Sequence, residues 1–477
     1  MFITKQVKKF FKFDELKTTF KKEIIGGLTT FLAMIYILSV QPSMLSVAND
    51  INFPGDPSHN MAFGGIFIAT AIAAFLSTLI MGLSANMPVG LAPGMGLNAI
   101  FTFNVANNGV GYQGALISVM ISSILFCIIS ATKVRIIIIN SIPKSLKLAI
   151  GAGIGFFIAY LGLHNIGLVG DTAVTPGGSI VNGGLPIAAL GDLKTNWPII
   201  LLGLGVLILI LILHFKKVPG AIAIAIFAGL AVSILVGNLG TSDFIKQNFS
   251  HWTGWSYDDF SGFTGNIKST FAEFTNREIW TSPIMYISIF VFLFVCFFDA
   301  TGTLYSISEQ ISEQTGNKYQ LNSRALLADS TGTLIGGVLG CSPVTTFVES
   351  TTGVSQGART GFSSIITALM FLVAIALFPV FKLITPAIVG AATIFVGSLM
   401  IMQIKDIEWL KPEFAISAFF TIIIMIVTFS ITNGIAVGFI FYAIVSLICN
   451  KGKGVGIPIY VLDLFFIGYF IAFAFVQ

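Results

Sequence analysis

Residues Asn86–Ala106 read NMPVGLAPGMGLNAIFTFNVA, and residues Gly340–Gly353 read GCSPVTTFVESTTG. Each stretch breaks a run of apolar residues with glycine, proline and polar side chains. The same Pro-Val step, Pro88-Val89 and Pro343-Val344, recurs about 255 residues apart. Irregular backbone survives at membrane depth only where protein or a water-filled cavity satisfies its N–H and C=O groups. A matched pair of broken segments, one in each half of a chain, points to the binding site of a transporter.

The composition around these breaks sets the class. Of 477 residues, 55% are hydrophobic and only 10% charged, and the mean hydropathy is +0.92. These values lie outside the soluble globular range and describe an all-α polytopic membrane protein. The four cysteines, Cys127, Cys296, Cys341 and Cys449, lack CxxC spacing, so they read as small buried hydrophobes. Neither a metal nor an organic cofactor is expected. The basic start, KQVKKFFKFDELKTTFKKE, precedes an apolar run too long for a signal peptide. It reads as an interfacial, cytoplasmic arm.

A helix-length window finds apolar segments near 24–45, 64–83, 92–106, 113–132, 146–163, 197–214 and 219–239. After a polar, aromatic-rich stretch, seven more follow near 283–305, 321–339, 343–356, 360–381, 383–403, 412–430 and 432–449. About fourteen segments in two sets of seven imply an inverted repeat, because an odd number of crossings makes the second half enter from the opposite side. GAIAIAIFAGLAVSIL from Gly220 resembles GIAVGFIFYAIVSLI from Gly434, as a repeat requires. The last apolar stretch, Ile457–Val476, either spans or lies against the bundle.

With the N-terminus inside, twenty of the 25 Lys and Arg residues fall on the cytoplasmic side. Only Lys194, Lys246, Lys268, Arg277 and Lys382 fall outside. This bias supports that orientation in the cell membrane, and it assigns the net charge of +4 to topology rather than to nucleic-acid binding.

Ionisable residues at membrane depth are functional candidates, because an unpaired charge there is costly. Asp299 ends the long apolar run Ile287–Phe298, and Glu349 stands where an extended stretch hands over to a short helix. Two carboxylates facing one cavity can accept the N–H edges of a neutral heterocycle. Burial opposes a carboxylate's charge, so such a pair would also couple binding to a proton. Asn98, in PGMGLNAIF, offers an amide that donates and accepts. Gly90, Gly94 and Gly96 allow close backbone approach, and Phe298 and Phe347 are candidates to stack on a planar ligand. Asp329, in RALLADSTGTLIGG, reads as a structural or gating carboxylate, or as a proton-relay member.

At these residues the sequence resembles the AzgA-like purine permeases of the nucleobase/ascorbate transporter superfamily. The likeness rests on EIIGGLTTFLAMIYILSVQPSML (Glu23–Leu45), GLAPGMGLNAIF (Gly90–Phe101), FDATGTL (Phe298–Leu304) and VTTFVESTTGVSQGARTG (Val344–Gly361). The resemblance implies a UraA-like fold in which segments 3 and 10 are short strand and half-helix pieces. It implies a core domain at residues 24–132 and 283–381 and a gate domain at 133–239 and 382–450. Around these lie the arm at 1–23, an extracellular loop at 240–282 and a C-terminal segment at 451–477. Substrate would bind between core and gate.

The resemblance also implies purine import by proton symport with the core sliding against the gate, commonly in a homodimer. It assigns the purine site to Asp299, Glu349, Asn98 and Gly96. Sodium is the other possible coupling ion, and hypoxanthine, guanine and adenine are the candidate bases. Departures from the pattern are the Ala-Thr after Asp299, the Ser-Pro-Val before TTFVES, and Ala358 in place of a glycine. Two other classes compete. An anion carrier on the same fold would be repelled by two carboxylates. An embedded enzyme would need a nucleophile and a base, and His59, His164, His214 and His251 lie away from any mid-segment partner. Trp252, Trp255, Tyr257 and Trp280 in the long loop read as a membrane-surface belt.

Overall fold

The computed structural model describes the chain except residues 1, 133–141, 172–187, 192, 240–248, 251–260, 317, 318, 320, 429, 451–454 and 477. Lys133, Arg135, Lys246, Lys318, Lys451, Lys453, His251, Trp252, Trp255 and Tyr257 thus lie outside the described residues. The chain divides into two units: Met1–Pro143 with Trp255–Lys382 and Val455–Gln477, and Lys144–Gly254 with Leu383–Gly454. Among the described residues, nine helices are long and apolar enough to cross a membrane. Four shorter apolar helices accompany them: Met95–Val105, Pro283–Phe297, Pro412–Val427 and Ile457–Gly468.

The first unit begins with α1 (Phe2–Phe10), then α2 (Phe20–Met34), α3 (Ile37–Leu45) and α4 (Phe63–Ile80). Strand β1 (Leu91–Pro93) leads into α5 (Met95–Ala99), which widens into a π-turn at Ile100–Val105, and α6 (Gly111–Ala131) follows. In the second unit lie α7 (Lys144–Ile166), the paired strands β2 (Val169–Asp171) and β3 (Ala188–Leu190), α8 (Leu193–Phe215) and α9 (Ala221–Leu239). The first unit resumes with α10 (Ser261–Ala272), α11 (Arg277–Thr281), α12 (Pro283–Thr315) and α13 (Ser323–Leu339). Strand β4 (Val344–Thr346), α14 (Ser350–Ser355), α15 (Gly361–Ala374) and α16 (Phe378–Phe381) come next. The second unit then adds α17 (Pro386–Ile401), α18 (Pro412–Val427) and α19 (Ile431–Asn450), and α20 (Ile457–Val476) returns to the first.

Helix boundaries follow local chemistry. Thr19, Asn322 and Thr360 each accept a backbone N–H from the first turn of α2, α13 and α15, satisfying donors that a helix start leaves free. Gly340 ends α13 at φ +83, and Cys341 N reaches back to Gly336 O at 2.9 Å, a left-handed stop that favours glycine.

The two broken segments meet. β1 and β4 pair antiparallel with Leu91 opposite Thr346, Ala92 opposite Thr345 and Pro93 opposite Val344. Gly94 N to Pro343 O (3.1 Å) and Phe347 N to Gly90 O (3.0 Å) extend the ladder at both ends. Hydroxyls from neighbouring helices satisfy much of the remaining backbone. Val89 N donates to Ser364 Oγ (2.8 Å), Gly90 N to Ser350 Oγ (3.0 Å) and Leu91 N to Thr78 Oγ1 (2.8 Å), while Thr333 Oγ1 donates to Val344 O (2.9 Å).

Around this crossing α2 packs on α14 and α15, and α13 packs on α4 and α6. In the second unit α7 packs on α17 and α18, with Gly155 against Gly397 and Gly162 against Gly390. A Cβ on Gly155 would lie 2.8 Å from Gly397 O, so these helices approach at backbone distance.

Four features differ from, or sharpen, the sequence reading. The eighth segment does not stop near 305: α12 continues to Thr315 and ends at Gly316, φ +71. The stretch 240–282, expected as a loop, contains helix α10, which packs on α4 and α6 where Gly65 meets Gly262. Trp280 sits in α11, its Nε1 donating to Phe274 O at 2.7 Å. The basic arm is docked as well as basic, since Phe11 and Phe13 are buried against Phe20 and Phe362. The C-terminal segment is a helix lying along α12, with Phe290 stacked on Phe465.

Candidate functional site

The strand crossing carries the chemistry at its ends. Asp299 lies on α12 beside the start of α5, where a Cβ on Gly94 would sit 3.4 Å from Asp299 Oδ2 and 2.9 Å from Thr345 Cγ2. Glycine at 94 therefore leaves room for Thr345 and Leu97, with the Asp299 carboxylate next to them. Asp329 and Glu349 both act electrostatically on Asp299, which puts the three acids in one neighbourhood. Asp329 is fully buried on α13 and accepts a 3.5 Å contact from Thr345 Oγ1 of β4. Asp299 and Glu349 are each partly buried as residues.

Glu349 ends the turn between β4 and α14. Tyr36, at the joint between α2 and α3, donates its hydroxyl to Glu349 Oε1 at 2.6 Å. Asn98 is fully buried on α5, and its Oδ1 accepts from Ser342 Oγ. Gln41 Nε2 donates to the same Ser342 Oγ at 3.1 Å. The Asn98 Nδ2 is buried without a partner among the described residues. It is an amide donor left unused on the same crossing.

The six residues named for binding from sequence are distributed unevenly. Asp299 lies within electrostatic reach of both Glu349 and Asp329. Asn98 is on the same crossing but bonds to Ser342 rather than to an acid. Gly94 borders Asp299, and Gly96 lies in the first turn of α5. Phe347 is buried at 5% exposure, and the side chain of Phe298 lies outside the described residues. Tyr36, Gln41 and Ser342 were missed. Gln41 beside Pro42, a polar residue within an apolar span, was the available signal. Tyr36 had none, being one aromatic residue among 45 Phe and ten Tyr.

The chemistry such acids offer is carboxylate oxygens that accept the N–H groups of a small polar molecule. Carboxylates without a full set of partners accept N–H groups strongly, because charge-assisted hydrogen bonds exceed neutral ones.

Residues 21–437 match the model of a family described as "Permease family". Guanine/hypoxanthine permease PbuG of Bacillus subtilis (strain 168) is 38% identical over 98% of this chain and 99% of its own length. Adenine permease AdeQ of Escherichia coli (strain K12) is 30% identical over 96% of this chain and 94% of its own. Among solved structures, the transmembrane domain of the cyanobacterial bicarbonate transporter BicA superposes with a TM-score of 0.54 at 16% identity, covering 88% of this chain and 97% of that one. SLC26A9 gives 0.54 at 14% identity, over 91% and 66%. These two show the fold, and the sequence matches show the family. The chain therefore belongs to the Permease family, as the resemblance to AzgA-like permeases implied, and is a multi-pass membrane transporter rather than an enzyme.

Proposed function

We propose that this permease imports purine nucleobases across the cell membrane by proton symport, with the base held at Asp299 and Glu349. The observation that carries this reading is the acid cluster at the crossing of β1 and β4. Purine bases present ring and exocyclic N–H donors, which carboxylate oxygens accept, and they carry no charge that the acids would repel. The Asn98 amide supplies the complementary donor, and Asp329 serves as the relay behind Asp299. Relatives named for guanine, hypoxanthine and adenine support the substrate class. Gathering three carboxylates at membrane depth supports proton coupling, because an acid that binds a proton with the base and releases it afterwards links the two fluxes.

In this reading the unit with the acid cluster is the core, the other is the gate, and the core moves during transport. Fourteen segments in two inverted sets of seven, an N-terminus inside the cell and a homodimer complete it.

The test is uptake of radiolabelled hypoxanthine, guanine and adenine in cells lacking their own permeases, with unlabelled bases, sulfate and bicarbonate as competitors. Concentrative uptake blocked by an unlabelled purine and abolished by a protonophore is the expected result. Uptake blocked by sulfate or bicarbonate, or none of any base, overturns the substrate; uptake surviving the protonophore but lost without sodium overturns the proton.

A further inference from the structure

We infer that Tyr36 is a positioning residue for Glu349: its hydroxyl commits Oε1 and turns Oε2 toward the base. This rests on the purine-site reading above and assigns a residue that the sequence left among its many aromatics.

Two observations carry it. The first is mutual commitment. Tyr36 is 1% exposed, and its hydroxyl finds one acceptor among the described residues, Glu349 Oε1 at 2.6 Å. Apart from its own main-chain N–H, the Glu349 carboxylate has no other hydrogen-bond partner among them. A buried phenol without an acceptor is costly, so neither group has an alternative that would release the other.

The second observation is how firmly the two backbones are held. Tyr36 stands at the joint of the first span, where α2 gives way to α3. Glu349 stands at the start of α14. Between these helices lies a close approach at two glycines: a Cβ on Gly353 would collide with Thr30 Oγ1 and lie 2.5 Å from Gly26 O, and one on Gly26 would lie 2.9 Å from Gly353 O. Just upstream of β1, a Cβ on Gly90 would strike Met34 Sδ. Helix α2 is thus seated against the second broken segment through its backbone at Gly26 and against the first through the Thr30 and Met34 side chains, in the two to ten residues before Tyr36. The phenol arrives at Glu349 from a rigid base, as a group that orients another must.

The consequence is a division of labour within one carboxylate. Oε1 belongs to the protein, and Oε2 remains for a ligand N–H. Without the hydroxyl, Glu349 can rotate about its terminal torsion, which is broad, and the site loses its preset geometry.

The test uses the full-length chain in membranes, with Tyr36→Phe, Glu349→Asp and the double variant. Tyr36→Phe keeps the ring. It should leave the amount of folded protein in the membrane near wild type, at a modest cost in melting temperature, while raising the apparent KM for hypoxanthine or guanine roughly tenfold, the scale of one hydrogen bond to a charged group. The change in maximal rate should be smaller. Asp at 349 is one methylene shorter and withdraws from the phenol, so adding Tyr36→Phe to it should change KM no further. An unchanged KM, a loss confined to maximal rate, or additive effects would overturn the role. If wild type takes up no purine, the functional reading fails on its own account. The pairing is then judged in detergent without ligand, where Tyr36→Phe and Glu349→Gln should cost less melting temperature together than the sum of each alone; additive losses overturn it.

Discussion

The main-chain N–H of Arg359 donates to Glu23 Oε1 at 2.9 Å, tying the start of α2 to the turn before α15, while the Arg359 guanidinium faces elsewhere. Glu23 is fully buried and also accepts from Thr18 Oγ1 at 2.7 Å and Thr360 N at 3.3 Å. The guanidinium donates instead to the carbonyls of Leu16 and Lys17, both at 3.0 Å, and of Gln314 at 3.4 Å. Acid and base here both serve the backbone. Glu23→Gln keeps the shape but turns an acceptor into a donor, and it should cost roughly 1–3 kcal/mol. Thermal unfolding in detergent reads it, and a wild-type melting temperature would remove Glu23 from the scaffold.

The same arginine holds down the arm. A lysine at 359 cannot fork onto three carbonyls at once, so Arg359→Lys should loosen residues 5–17. Limited trypsin digestion should then cut at Lys12 and Lys17 faster than in wild type, with the rest of the chain equally protected. Equal cleavage rates would show that the buried Phe11 and Phe13 suffice.

Two glycines make a controlled pair. Gly353→Ala places a methyl against Thr30 Oγ1 and the Gly26 carbonyl, where backbone cannot yield cheaply, and should cost roughly 1–3 kcal/mol or more. Gly205→Ala, in α8, meets nothing within 4 Å and should be neutral or gain up to about 1 kcal/mol from helix propensity. Melting temperatures of the two variants should therefore move in opposite directions or differ by several degrees.

Ser342→Ala removes the hydroxyl that links Gln41 to Asn98. Two buried amides then lose a partner, at a cost of roughly 1–3 kcal/mol. Uptake should fall further than stability alone explains, through a raised KM, because Asn98 is no longer oriented. If the melting temperature drops and KM stays put, Asn98 is a packing residue.

Glu349→Gln and Asp299→Asn should each abolish concentrative uptake while leaving folded protein in the membrane, since each keeps volume and loses a charge-assisted acceptor. Accumulation of a purine against its gradient by either variant would remove that carboxylate from the coupling step.

Much of this was legible in one dimension. Runs such as Ile287–Phe298 announce helices because lipid demands about twenty apolar residues, and Pro88, Pro93 and Pro343 announce breaks because proline lacks the N–H a helix needs. Asp299 and Glu349 stood out because charge is rare in such surroundings. The length of α12 was misjudged because hydropathy stops where the membrane stops, whereas a helix continues through Ser306–Thr315 until a glycine ends it. Helix α10 was missed because its polar residues, such as Asn266 and Thr270, are buried against other helices and give no apolar stripe.

Sequence alone determined that this chain lives in a bilayer, where its segments break and which acids are out of place, because those properties depend on each residue and its near neighbours. Only the tertiary structure decided that Leu91 faces Thr346, that Tyr36 holds Glu349 and that Ser342 holds Asn98. Those contacts join residues some 240 to 310 apart, and their strength comes from backbone approach across glycines such as Gly26 and Gly353, a geometry that no local pattern encodes.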